Sequence, residues 1–344
     1  MKKNHGWKWL GKSWIAAIMI ALLAALAACG GNSAEPGTNG NTGSAANNTA
    51  ANDQAANDKA NNNEEEAAAD SGQTTYPLTL VDATGTEVTF EQAPQMVVSI
   101  VPSETEILFA VGAGDEVAGV DQWSNYPEEA LSKPKIGDLS TNIEAVTALN
   151  PDLVVASSTM NADAITQLRE LNVKVFAAAP KTLDETIAHI EEIGLIMNKQ
   201  EKAAETAEQM RIVKQQVIEA VKDAPKKKVY LEFSPGWSVG KGEFLDELLT
   251  LAGGENIAGD QTGWFAIDAE KVLQSNPEVI IYPDFGDDNS ILELIQSRPG
   301  WDQIDAVKNN QLFKVTNDPL VRVGPRLTDG LLELAKAIHP ELIQ

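Results

Sequence analysis

Three tryptophans stand at the root of a loop, just after an apolar run or just before an amphipathic one: Trp123, Trp237 and Trp264. Tyr126 and Phe265 lie beside the first and the last. Indole and phenol rings are apolar faces with one polar edge. Several of them around one opening, with a few donors, suit a large, flat, partly apolar ligand. Aromatics at loop roots also serve as core plugs, and Trp301, within Arg298-Pro299-Gly300-Trp301, is read as one. Arg322, in the loop ahead of Gly324-Pro325, is placed to pair with an anionic group of a ligand or with a surface carboxylate.

Glu144 and Glu270 form a second pair. Each lies near the start of one copy of a doubled segment, IEAVTALNPDLVVA (143–156) and AEKVLQSNPEVIIY (269–282). A carboxylate in a first helical turn meets the positive end of the helix dipole. Thr141 and Glu144 match a capping box, and Asp268 is a candidate N-cap, so capping is one role for this pair. The matching placement in both copies points to another: one carboxylate per copy, offered to a basic partner.

Catalysis has less support. Gly236-Trp237-Ser238-Val239-Gly240 fits the G-x-S-x-G pattern, and His339 is the histidine that follows it. A nucleophile elbow turns straight into its helix, whereas Lys241-Gly242 intervene here. A surface hydrolase using Ser238 and His339 is therefore a remote alternative, and no enzyme is expected. Gly112, Gly114 and Gly119 have the wrong spacing for a dinucleotide fold. The 3 histidines are too scattered for a protein metal site, so no cofactor of the protein's own is expected. A net charge of −24 disfavours nucleic acid, which needs clustered Lys and Arg.

The elements that must position these residues begin with the doubled segment. Each copy has an apolar-spaced half of helical period, a break at Asn150-Pro151 or Asn276-Pro277, and a β-branched run. Proline lacks the amide hydrogen and biases its predecessor away from helix, and the short apolar run suits a strand buried on both faces. Helix into parallel strand, twice, implies two α/β lobes and a cleft between them. In the first lobe a hairpin (76–90) precedes strands at 97–101, 117–120 and 173–177 and helices at 103–111, 162–171 and 183–197, with Ser103 and Glu106 as a capping box. Residues 199–222 carry no Gly or Pro and hold apolar positions at helical spacing, which predicts one long connecting helix. Strands at 229–233 and 312–315 and helices at 244–252, 291–295, 301–307 and 327–338 complete the second lobe. The domain boundaries are 76–198, 199–224 and 225–344.

The chain start reads as a targeting segment. Lys2, Lys3, Lys8 and Lys12 precede an apolar core from Trp14 to Ala28, which ends at Cys29, the single cysteine. Residues 1–28 resemble a bacterial lipoprotein signal, which implies cleavage before Cys29 and a diacylglycerol on its sulfur. Residues 29–75 are polar and lack aromatics, a composition that predicts a disordered tether. The folded part is thereby expected outside the cytoplasmic membrane, and the lack of cysteines beyond Cys29 fits a Gram-positive surface, with an outer membrane as the alternative.

From Tyr76 to the C-terminus the chain resembles the solute-binding lipoproteins of ABC importers whose two lobes are joined by one rigid helix. The carrying residues are Val98 to Glu106, Asn150-Pro151-Asp152-Leu153-Val154, Leu251 to Asn256, Arg298 to Trp301 and Gly324 to Gly330. Such proteins serve cobalamin, ferric siderophores and haem. Gly119-Val120 leading to Trp123 and Tyr126-Pro127, with Gly263-Trp264, is most similar to the cobalamin branch, although no tryptophan stands at 137–141. The resemblance implies that Trp123, Trp237 and Trp264 contact a corrin, which brings its own cobalt. It also implies that Glu144 and Glu270 dock on arginines of a permease dimer served by an ATPase. A monomer is expected, with a ferric siderophore or haem as the alternative ligand.

Overall fold

The computed structural model describes residues 72–138, 140–286 and 289–343. The predicted signal and Cys29 lie outside them. The chain is already held at Thr74, whose N–H donates to Asn198 Oδ1 (2.8 Å) and whose hydroxyl donates to the Leu195 carbonyl (2.7 Å).

In chain order the N-terminal lobe comprises the antiparallel hairpin β1 (Leu78–Val81) and β2 (Glu87–Phe90), then β3 (Val97–Ser99), α1 (Pro102–Ala110) and β4 (Val117–Val120). It continues with α2 (Ile143–Ala148), β5 (Leu153–Ser157), α3 (Ala162–Glu170), β6 (Val175–Ala178) and α4 (Leu183–Met197). Helix α5 (Gln200–Val221) follows after Asn198, which takes the left-handed conformation (φ 54°) that ends α4. At 22 residues α5 is about 33 Å long. The C-terminal lobe holds β7 (Lys227–Leu231), β8 (Trp237–Val239), α6 (Phe244–Leu251), β9 (Gly254–Asn256), β10 (Trp264–Ala266) and α7 (Ala269–Ser275). After these come β11 (Val279–Asp284), α8 (Ser290–Ser297), α9 (Asp305–Lys308), β12 (Leu312–Thr316), α10 (Asn317–Val321) and α11 (Leu327–Ile338).

Each lobe has a four-stranded parallel sheet, ordered β4-β3-β5-β6 and β12-β11-β7-β9. Numbered within its own lobe, each sheet reads 2-1-3-4, so the doubled segment marks a shared topology. It contributes the third strand and the preceding helix of both lobes. Strand residues alternate between two buried faces, as the β-branched runs require. Val97, Val155 and Phe176 face a core that continues through Ala203, Met210 and Val217 of α5 into Val229, Ile281 and Leu331. Val98, Val154 and Val175 face an outer cluster of their own lobe, and Tyr230, Ile280 and Trp301 face another. The lobes thus share one core with the connecting helix, which joins them rigidly. Trp301 is a buried plug, set edge-on to Tyr230.

Two local readings need correction. Helix α1 starts at Pro102, so Val101 is its N-cap and makes no side-chain cap bond; Ser103 and Glu106 form no capping box. Proline is well suited to a first helical position, where its missing N–H costs nothing. Helix α2 is capped by Asn142, which accepts from the Ala145 N–H (3.0 Å), and not by Thr141. Asp268 caps α7 as expected, accepting from the Glu270 N–H (2.9 Å).

Candidate functional site

The carboxyl edges of the two sheets are drawn together by contacts between the segments that leave them. Two seams join the lobes, and both lie in segments that leave those edges. In one, the N–H of Leu183, at the start of α4, donates to Glu247 Oε2 of α6 (2.6 Å). In the other, the chain after α10 packs on α1, where a Cβ at Gly324 would lie 3.3 Å from the Ser103 carbonyl.

At the second seam, Glu106 of α1 is buried and accepts three guanidinium bonds from the opposite lobe. Arg322 Nη1 donates to Oε1 (2.9 Å), Arg326 Nη2 to Oε1 (2.6 Å) and Arg326 Nε to Oε2 (2.9 Å). Arg322 also donates to Asn125 Oδ1 (2.7 Å) and the Trp123 carbonyl (3.3 Å), and pairs with Asp318 (2.8 Å). The Arg326 guanidinium lies 4.0 Å over the Tyr126 ring. Two cations thus meet two carboxylates, and Arg322 has no uncommitted arm to offer an anion.

The Trp123 loop leaves the end of β4. Buried Asp121 accepts from the Trp123 N–H (2.8 Å) and from the Ser124 hydroxyl, and Lys135 Nζ donates to the Ser124 carbonyl (2.7 Å). Burial pushes the Asp121 carboxyl above the usual carboxylate range, against the bonds from Ser124 and Trp123 and the charges of Lys135 and Arg322. A buried carboxylate likewise fixes the opposite turn. Glu232, at the end of β7, accepts from the Gly236 N–H (2.8 Å) and pairs bidentately with Arg298 (2.6 and 2.6 Å). The turn is completed by the Trp237 N–H donating to the Ser234 carbonyl (2.8 Å), with Gly236 at φ 78°.

These turns leave the rings uncovered. Trp123 is 59% exposed, Tyr126 47%, Trp237 46% and Trp264 38%. Strands β8 and β10 pair antiparallel, with Trp237 opposite Ala266 and Trp264 opposite Val239, so both indoles lie diagonally on one face. Trp264 is backed edge-on by Phe233 (4.8 Å). Phe265, half-buried opposite Ser238, lies on the other face. The site residues thus fall into two groups, Trp123 with Tyr126 and Arg322, and Trp237 with Trp264. Both stand at carboxyl edges, and no ring contact or hydrogen bond among the described residues joins one group to the other.

Strand order adds a residue that sequence reading missed. In a 2-1-3-4 sheet the chain reverses direction between strands 1 and 3, where open α/β sheets bind ligands. In the C-terminal lobe those strands are β7 and β11. The first leads into the Trp237 turn and the second into Phe285, which is 45% exposed. Its sequence signal, an aromatic directly after a strand and before Gly286, matches that of the tryptophans.

Glu144 and Glu270 are exposed in the first turns of α2 and α7. With Asn142 and Asp268 capping those helices, neither carboxylate has a recorded partner among the described residues. The hydrolase alternative fails. Ser238 is fully buried and its hydroxyl donates to the Leu231 carbonyl (2.7 Å), while buried His339 lies against the Gly253 carbonyl (3.3 Å). The serine hydroxyl is absorbed by backbone, the histidine pairs with Glu341 (3.5 Å) on its other nitrogen, and neither residue meets the other.

A family model described as periplasmic binding protein matches residues 97–319. The ABC transporter substrate-binding lipoprotein YvrC of Bacillus subtilis is 34% identical over 289 residues, 81% of this chain and 91% of that protein. The crystal structure of the periplasmic vitamin B12 binding protein of Vibrio cholerae superposes with a TM-score of 0.65 at 25% identity, covering 73% of this chain and 99% of that one. A possible iron-binding periplasmic solute-binding protein of Staphylococcus epidermidis gives 0.63 at 27% identity, covering 72% and 100%. With its two parallel-sheet lobes, adjoining carboxyl edges and helical connection, the chain belongs to the periplasmic binding protein family, the non-catalytic solute-binding components of ABC importers.

Proposed function

We propose that the protein binds cobalamin or a related corrinoid outside the membrane and delivers it to an ABC permease dimer and its ATPase. The observation that carries this reading is the set of exposed rings on adjoining carboxyl edges, held by turns whose charges are already balanced. Trp123, Tyr126, Trp237 and Trp264 supply aromatic surface, Phe265 backs the β8–β10 ribbon from its other face, and Arg322 lies beneath the Trp123 loop. A corrin is a large, flat macrocycle with neutral amide arms, which suits apolar faces and a few donors. Haem carboxylates or an anionic ferric siderophore would call on free cations, and Arg298, Arg322 and Arg326 are each engaged by a carboxylate. The likeness to the staphylococcal protein described as possibly iron-binding keeps an iron chelate as the second reading.

Glu144 and Glu270 dock on basic residues of the permease, one per lobe. Residues 1–28 are a signal cleaved before Cys29, which carries the lipid, and 29–75 tether the lobes (76–198 and 225–344, joined through 199–224) to the cell surface. Titration of the protein with cyanocobalamin, haem and a panel of ferric siderophores, followed by tryptophan fluorescence, tests the ligand. Saturable quenching by cyanocobalamin is expected; quenching by haem or a siderophore alone removes the corrinoid reading.

A further inference from the structure

Helix α1 carries two buried acids two residues apart, Glu104 and Glu106, whose partners lie in different places. Both oxygens of Glu104 lie 3.0 Å from His189 Nε2 of α4, inside the N-terminal lobe. Glu106 faces the other lobe and gathers Arg322 and Arg326. Without a carboxylate between them, two guanidiniums held this close would repel each other strongly at low local dielectric.

What the arginines do beyond Glu106 is more informative. Between them they touch three of the four residues from Trp123 to Tyr126: the Trp123 carbonyl, the Asn125 amide oxygen and the Tyr126 ring. The loop's own lobe holds Ser124, through Asp121, the Thr105 hydroxyl (2.7 Å) and Lys135, and the Trp123 N–H through Asp121. We propose that Glu106 is a positioning residue for the ligand site. It holds Arg322 and Arg326 of the opposite lobe under the Trp123–Tyr126 loop, so the order of Trp123, Asn125 and Tyr126 depends on a carboxylate that touches no ligand. Charge-assisted, multiply bonded guanidiniums are suited to the task because they fix direction as well as distance. Only the affinity consequence rests on the ligand site proposed above; the ordering of the loop does not.

The experiment compares Glu106→Gln with Glu104→Gln in the full chain. It reads amide hydrogen exchange over residues 122–126 in the absence of ligand, and cyanocobalamin affinity by fluorescence. Glu106→Gln is expected to raise loop exchange about tenfold or more and to weaken cyanocobalamin by a similar factor. Glu104→Gln also removes a buried ion pair, so it lowers the urea midpoint but leaves both readouts unchanged. Should Glu106→Gln fail to fold, Arg322→Lys keeps the charge but loses the fork to Asn125 and Trp123, and the same rise in exchange is expected of it. Loop exchange unchanged in Glu106→Gln, or raised equally in Glu104→Gln, overturns the proposal. A loosened loop with undiminished affinity overturns the positioning role. A wild type that binds no cyanocobalamin removes the corrinoid reading instead, and the exchange measurement still decides whether Glu106 orders the loop.

Discussion

Trp237 and Phe285 leave the C-terminal sheet from the two strands that flank its reversal of direction, and both rings are about half exposed. Solvent already covers much of each ring, so truncation removes little packing, and surface substitutions of this kind shift stability by within about 0.5 kcal/mol. A bound macrocycle would cover the same rings, and an aromatic stacking contact contributes about 0.5–1.5 kcal/mol beyond the area it buries. Trp237→Ala and Phe285→Ala are therefore each expected to weaken cyanocobalamin binding about tenfold with an unchanged urea midpoint. Trp301→Ala should do the reverse, losing about 3–5 kcal/mol of stability as a core truncation. Paired titrations and unfolding curves on the three variants check this; equal affinity in Trp237→Ala and wild type would remove that indole from the ligand face. The tryptophans were legible in the sequence because a large aromatic at a loop root is a local signal. Phe285 carries the same signal, but its importance depends on strand order, which no local pattern encodes. Glu106 was misread as a capping partner because its real partners lie 216 and 220 residues away.

At the scale of elements, long periodic segments were the most legible. The helices over 183–197 and 327–338 begin and end where the sequence places them, and the long connecting helix differs by one residue at each end. Strands β8, β9 and β10 have three residues each, too few to show a period, and went unseen. Both Asn-Pro breaks were read through proline alone, yet the asparagines share the work. Asn150 and Asn276 both take φ 47°, a left-handed conformation that asparagine tolerates better than other side chains. The packing of α1 on α4 yields a prediction of its own. Burial alone would disfavour a charged His189, but the carboxylates of Glu104 and Glu192 outweigh it and hold the imidazole protonated, with a pKa raised to about 10. Because the folded value exceeds the unfolded one of about 6.5, the stability this group contributes is full below the unfolded value. It declines as pH rises and is gone above about 10. Wild type should thus lose on the order of a few kcal/mol of urea stability between about pH 6.5 and 9.5, whereas His189→Gln should show a much flatter profile. Parallel profiles in the two proteins would mean that the Glu104–His189 pair does not govern this window.

At the scale of the whole molecule, one plan is used twice around a single core. Two sheets of the same strand order are joined through α5, whose buried face contributes to the cluster that spans both lobes. Movement between the lobes would have to break that cluster and both seams, so binding is expected to proceed with little closure. A rigid body of this kind can present two points at a fixed separation. A crossover helix runs back against its parallel strands, so its amino end lies at the carboxyl edge of the sheet. Helices α2 and α7 occupy the same place in the two lobes, and each therefore starts on the edge that carries the exposed rings. Glu144 and Glu270 are set there as a pair, exposed and without a partner among the described residues. A permease dimer with one basic patch per subunit could engage both carboxylates across the mouth of the cleft. Asn142 and Asp268 already cap the helices, so removing the glutamates forfeits only a dipole interaction of about 0.3–1 kcal/mol each. The double variant Glu144→Ala, Glu270→Ala is thus expected to keep its fold and its cyanocobalamin affinity while abolishing uptake in cells, with each single variant intermediate. Charge reversal to Lys at both positions should be no better than Ala, since the same basic patches would then repel. Undiminished uptake by the double variant would assign the pair to helix ends alone, and a parallel loss of ligand affinity would place them in the binding site.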